Sequence, residues 1–250
     1  MMSDPAEIIQ LSKETLDAYD RHLASAAAEW SRTLDSPTDF LWSRLSEQRA
    51  AIVLKGKTVV EMLTGEHPTR VPGGLIHDWI AATRIPGGTL DGTLALIQSY
   101  DRHKEIYAPD VIDSRLIARN GDVFDIYLRV RKKKVITVVL ETDHHAEYRQ
   151  LAPDRWCCSS HTTRIAEVKD PGKPGERVGE PDTGYGFLWR LATHWRFEQR
   201  DDGVWIECRA ISLTRDVPKA LAWVIEPIVR KLPRESLIAT LEATRRACQA

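Results

Sequence analysis

The chain has 250 residues, of which 42% are apolar and 28% charged, an ordinary balance for a globular protein able to bury a core without staples. The formal net charge of -1 gives no basic field to attract nucleic acid or an anionic membrane surface. No run approaches the ~18 apolar residues of a transmembrane helix, so no integral membrane segment is expected.

The start, Met1-Met2-Ser3-Asp4-Pro5-Ala6-Glu7, lacks a basic segment followed by an apolar one and does not read as a signal peptide. A cytoplasmic location is expected, with export after removal of a leader as the alternative. Cys157, Cys158, Cys208 and Cys248 show no metal-ligand spacing and read as free thiols in a reducing compartment. Asp4-Pro5-Ala6-Glu7 looks like a helix start, and Leu16, Tyr19, Leu23, Ala26, Ala27, Trp30 and Leu34 recur at helical spacing. This predicts an amphipathic helix over 5–34, ended by Ser36-Pro37. Phe40, Leu41, Trp42 and Leu45 suggest a second short helix.

From Thr58 the period changes to that of strands. Val59–Leu63 reads as one, and Leu75–Thr83 as another, bounded by Pro72-Gly73-Gly74 and Pro86-Gly87-Gly88. Thr89 caps a helix carrying Leu90, Leu94, Ile97 and Tyr100. Strand-like runs follow at 111–119, 122–131, 135–143 and 156–168, with Asn120-Gly121 as a hairpin turn between the first two. The Gly- and Pro-rich stretch 169–184 reads as an exposed loop, a lid or a disordered flap. Two long strands flank Arg200-Asp-Asp-Gly203. Asp216 then caps a long helix in which Pro227 and Pro233 predict a kink or a break.

Strand alternation sorts the hairpin residues onto two faces. Phe187, Trp189, Leu191, Trp195, Phe197, Val204, Ile206, Cys208 and Ala210 share one; Arg190, His194, Arg196, Trp205, Glu207 and Arg209 share the other. A four-residue turn sets Arg196 opposite Glu207 and His194 opposite Arg209. Either the charged face is a solvated ladder with the aromatic face on the terminal helix, or it lines a cavity and orients an anionic or carbonyl-bearing ligand. Tyr127 and Arg129 join the polar set if their strand faces the same way. His77 and Trp79 share a face of their own strand, where a histidine can serve as an acid/base group or as a hydrogen-bonded core residue. The candidate ligand-binding residues are therefore His77, Trp79, Tyr127, Arg129, Arg190, His194, Arg196 and Glu207. His144-His145, near Glu141 and Asp143, is the best metal candidate, but alternation sends the two imidazoles to opposite faces, so no metal and no cofactor is expected. Arg131-Lys132-Lys133-Lys134 reads as a solvated turn.

Together with this element order, Gly74-Leu-Ile-His-Asp-Trp79, Tyr107-Ala-Pro-Asp-Val-Ile-Asp-Ser114, Gly186-Phe-Leu-Trp-Arg190 and Ile211-Ser-Leu-Thr-Arg-Asp-Val-Pro218 resemble a bacterial group of START-like proteins. The group belongs to the helix-grip superfamily of Bet v 1 and the polyketide cyclases. The resemblance implies an α+β fold over residues 57–250, a curved antiparallel sheet around a long kinked C-terminal helix, with residues 1–56 as an N-terminal helical extension. It implies binding or carriage of a hydrophobic or amphipathic small molecule, lipid- or polyketide-like, in an internal cavity. The alternatives are a cyclase or aromatase using that cavity and a protein-interaction subunit. No catalytic residue transfers, and oligomeric state stays open.

Overall fold

The computed structural model describes residues 8–133, 137–216 and 222–249, with side chains described from 231 in the last segment. A two-residue strand, β1 (Ile9–Gln10), precedes helix α1 (Lys13–Ser31), which Ser12 caps by accepting from the Thr15 amide. The helix thus begins later than the sequence suggested; Asp4-Pro5-Ala6-Glu7 lies outside the described residues. A short 3-10 turn (Trp42–Leu45) leads into α2 (Glu47–Leu54), a helix the periodicity did not disclose.

The main sheet is antiparallel throughout. Strands β2 (Val59–Met62), β3 (Thr69–Val71) and β4 (Gly74–Pro86) come first, then α3 (Leu90–Ile97), capped by Thr89 as predicted, and α4 (His103–Ile106). Strands β5 (Val111–Asn120), β6 (Val123–Lys133), β7 (Thr137–Ala152) and β8 (Arg155–Lys169) follow. Asn120 pairs with Val123 across a tight turn in which Gly121 takes φ +60°, the conformation the Asn-Gly dipeptide supplies. Short strands β9 (Arg177–Val178) and β10 (Thr183–Gly184) precede the long hairpin of β11 (Arg190–Arg200) and β12 (Gly203–Arg215). The spatial order is β2-β4-β12-β11-β8-β7-β6-β5, with β3 added beside β4 and β9 beside β8.

Helix α5 (Ala222–Gln249) closes the described chain as one element that passes through Pro227 and Pro233 without a break. Asp216, expected as its cap, pairs with Arg70 at 2.7 Å, and the residues that would join it to the helix lie outside the described ones. The predicted stripe residues Leu221, Ile225 and Ile228 lie outside the described side chains. Leu237 and Leu241 pack with Trp79, Ala81, Phe197, Val204, Ile206 and Cys208. The aromatic face of β11 and β12 therefore meets the terminal helix, as the first of the two sequence readings had it, except that Trp189 packs on the opposite side with Tyr19, Ile76, Ile211 and Leu213. This is the helix-grip arrangement, an α+β fold.

The other face is not solvated. Trp30, Leu34, Phe40, Leu41 and Val53 from the N-terminal elements form a second core with Ile80, Ala82, Cys157 and Trp205. Tyr19 and Ala26 form a third with Ile76, Ile211 and Leu213. Across β4, β12 and the adjoining part of β11 and β8 the sheet is thus covered on both sides, with α5 on the inner face and α1, the 3-10 turn and α2 on the outer.

The stretch 169–184 is tied down rather than free. Glu167, buried, accepts from the amides of Tyr185, Gly186 and Phe187. Leu11 donates to the Asp182 carbonyl, and β10 pairs with β1. The sequence read only the Gly and Pro content; it could not see the carboxylate that collects those amides.

Candidate functional site

The register assigns every strand residue to a face. Arg196 pairs with Glu207 and His194 with Arg209, as the turn arithmetic predicted. Across the sheet, Thr193 pairs with Ser160 and Ala210, Ser160 with Ala146, His144 with Thr162 and Ile126, and His77 with Ser212. Directly paired residues point the same way, so all of these look inward, toward α5. Of the eight residues chosen from sequence, only His77 and Trp79 do so. His77 is fully buried, its Nε2 3.1 Å from Thr214 Oγ1. Trp79 is packed beside Ala210 and Met62, and its Nε1 has no hydrogen-bond partner.

The other six sit on the outer face, away from α5. Tyr127 lies under the Arg115 guanidinium at 4.2 Å, and Arg129 bridges Glu141 at 3.5 Å and Glu176. Arg190 pairs with Asp182. His194 meets Ser159 Oγ at 3.0 Å and the Trp30 ring at 5.7 Å; desolvation there pushes its imidazole down to about 4. Arg196 is stacked on Trp30 at 3.8 Å and donates to the carbonyls of Trp30 and Phe40 and to Thr33 Oγ1. Glu207, 0% exposed, accepts from the amides of Trp42 at 2.8 Å and Ser43 at 2.7 Å. Arg209 completes the set through Asp78, at 2.7 Å, and Glu29; His22 also reaches Asp78 at 2.9 Å. The charged ladder is neither exposed nor turned toward α5: it anchors the chain's own N-terminal elements, and this hairpin face is not free to dock another protein. Alternation separates two faces but carries no label saying which helix covers which.

What the sequence reading missed is the rest of the inner face. Continuing the alternation of Trp195 into β8 and β7 finds it: Cys158 and Tyr148 lie in register with Trp195, and Ser160, Thr162 and His144 follow on the same side. His144 Nε2 lies 2.8 Å from Thr142 Oγ1, and burial drives its imidazole down to about 4, so it is neutral at pH 7. Next to α3 and α4 the Tyr100 and Tyr148 hydroxyls meet at 2.8 Å and Tyr107 reaches Thr244 on α5 at 3.1 Å. Burial raises all three phenols, Tyr107 to about 12, and lowers His103 to about 4. His145, by contrast, points outward between Asp125 and Glu147 at 2.8 and 3.1 Å.

Against this packed background, Leu128, His144, Ser160, Thr193, Trp195 and Ala210 keep partial exposure although they face the layer that α5 covers. A separate cleft of about 500 Å³ lies at the outer tip of the hairpin, lined by Arg44, Ala50, Leu54, Arg200, Asp202 and Trp205. It is open, and two of its charged residues pair with neighbours, Asp202 with Arg84 and Arg200 with Glu198.

No protein-family model matches the sequence, and no curated protein matches it. Among solved structures the chain is similar to a STAR-related lipid transfer protein from Xanthomonas axonopodis, with 17% identity, 76% of this chain and 99% of that one covered, and a TM-score of 0.47. It is similar to human STARD10 at 11% identity, covering 82% of this chain and 80% of that one, with a TM-score of 0.45. It is also similar to the Zhui aromatase/cyclase from Streptomyces at 9% identity, covering 70% and 94%, with a TM-score of 0.42. No activity passes to the chain at identities this low; its function has to be argued from its own geometry.

Proposed function

We propose that the chain binds or carries a hydrophobic or amphipathic small molecule between the inner face of its sheet and α5. The observation that supports this is the group of partly exposed inner-face side chains around Trp195, Ala210 and His144, opposite the layer that α5 covers. Pockets for such ligands are apolar with a few placed polar groups, and this one offers Trp195, Leu128 and Ala210 beside His144, Ser160 and Thr193. We take residues 57–250 as the ligand-holding unit and residues 1–56 as a brace on its outer face. A neutral lipid or dye at a hundredfold excess over its Kd is expected to raise Tm by roughly 5–10 °C. Ala210→Trp fills the gap and abolishes that shift while the protein stays folded. If no member of a lipid and aromatic-dye panel shifts Tm, and native mass spectrometry finds nothing co-purifying, the reading is wrong. For the brace, a chain starting at residue 57 is expected to aggregate or bind hydrophobic dyes, because Arg196, Glu207 and Trp205 lose their cover. A truncated chain with the full-length Tm would contradict it.

One observation favours a second reading, a cyclase- or aromatase-type enzyme. His144 is a neutral imidazole at the edge of the gap, held by Thr142, and able to take or give a proton to a bound carbonyl compound. Turnover of a polyketide-like substrate that His144→Phe removes, with binding retained, is the result that distinguishes enzyme from carrier.

A further inference from the structure

The charge pattern of the inner face narrows the guest. Following the register from β4 through β12, β11, β8, β7 and β6, residues 75–85, 204–214, 191–199, 156–162, 140–150 and 124–130 place no Lys, Arg, Asp or Glu on this side among the described residues. Apart from Lys132, which pairs with Asp110, and Glu167, both at the sheet's margin, the charged residues of the same strands are on the outer face, and those at its centre are consumed there: Arg196 by carbonyls, Glu207 by amides, Arg209 by Asp78 and Glu29. At the margins, Glu167 is capped by three amides, and Arg245 on α5 donates to the Gly56 carbonyl.

The inner face is also divided along its length. Toward the end where β12 leads to α5 it is hydroxyl- and imidazole-rich, with His77, Thr214, His144, Thr162, Ser160 and Thr193. Toward the other end Trp79, Trp195, Phe197 and Cys208 form an apolar patch, flanked by Thr83 and Gln199 and by Tyr148, whose hydroxyl is taken by Tyr100. Thr162 is spent on the Leu191 backbone and His77 faces Thr214, whereas Ser160 and His144 keep exposed surface. A carboxylate or phosphate brought here leaves water without meeting a cation, which is unfavourable. A hydroxyl or carbonyl oxygen finds neutral donors and acceptors.

We propose that the guest is an electrically neutral, oxygen-bearing amphiphile, an alcohol, ketone or phenol rather than a fatty acid or phospholipid anion. Its oxygen lies on the His144–Ser160–Thr193 corner and its apolar end lies toward Trp195 and Trp79. This rests on the cavity reading above and adds the charge and orientation of the ligand.

The test is displacement of Nile red, a neutral probe, from the full chain at pH 8 by dodecan-1-ol and by dodecanoate. The alcohol is expected to displace it with an affinity at least about tenfold higher than the carboxylate. His144→Phe and, independently, the paired change Ser160→Ala with Thr193→Val are each expected to weaken the alcohol about three- to tenfold, its affinity being calculated with each variant's own Nile red Kd. The double variant keeps the question open to measurement should His144→Phe fail to fold. Dodecanoate displacing as well as the alcohol overturns the proposal, with the cavity still standing. An alcohol affinity indifferent to both variants overturns the placement of its oxygen. Absence of Nile red binding overturns the cavity reading, and this proposal with it.

Discussion

Arg196 is 2% exposed, and its guanidinium is held by carbonyls and a ring face rather than by a carboxylate. Desolvation lowers it to about 10, yet it remains charged at neutral pH. Truncating one member of such a buried polar set leaves the others unmet, so Arg196→Ala is expected to cost about 3–5 kcal/mol in urea unfolding. Arg196→Lys should recover only part, since an ammonium cannot stack on Trp30 and fork to two carbonyls. The histidines add a pH dependence of known sign. His103 and His144 stay neutral in the fold down to about 4, whereas an unfolded imidazole takes its proton near 6.5. Their contribution is complete above pH 6.5 and is lost as pH falls toward 4, up to about 3 kcal/mol for each. Asp78 acts at still lower pH. Burial alone would raise its carboxyl, but the bonds from Arg209 and His22 outweigh that and hold it below the usual 3.8, so its share disappears only as pH drops through its folded value. Tm measured at pH 7.5 and 4.5 is expected to show a smaller gap in His103→Phe than in the parent; an unchanged gap would remove histidine titration as the cause.

At the scale of elements, the segment between β8 and β11 shows what side-chain chemistry adds to composition. Its Gly and Pro content reads as a loose flap, yet Glu167 gathers three consecutive amides from it. Gly186 sits there at φ +75°, where a Cβ would come within 2.4 Å of the Arg215 Cβ, so no other residue fits without moving the chain. Glu167→Gln supplies one acceptor oxygen where two worked. Amide exchange of Tyr185, Gly186 and Phe187 is expected to quicken about tenfold or more, while that of β11 and β12 stays as it was. Equal exchange in parent and variant would mean that β10 and β1 hold the segment unaided. Local patterns did disclose the pieces whose determinants are local: the Thr89 cap, the Asn120-Gly121 turn and the pairing of Arg196 with Glu207 follow from a few adjacent residues. Helix α2 escaped because its apolar residues, Ala50 to Leu54, form an unbroken run rather than a helical period, and strand β3 because three residues are too few to show one.

For the whole molecule, the helix-grip architecture was legible because alternating strands and a terminal amphipathic helix have few ways to pack. The candidate site was legible only in part. His77 and Trp79 announce themselves as a histidine and a tryptophan on one strand face, whereas Ser160, Thr193 and His144 become neighbours only when β7, β8 and β11 are laid side by side. The charged ladder misled for a related reason. A row of Arg, His and Glu invites a ligand or solvent reading, and nothing in its own strands says that a helix from the far N-terminus supplies the matching carbonyls and amides.

The two-residue turn Asp201-Asp202 therefore governs more than the hairpin it closes. Lengthening one arm by a single position would rotate β12 half a turn about its axis relative to β11. Glu207 and Arg209 would then be delivered among the tryptophans and Ile206 and Cys208 against the N-terminal brace. Since both layers are specified on alternate residues of the same strands, the chain has no neutral side to absorb such a slip, and new ligand specificities can be reached by exchanging side chains but not by sliding strands.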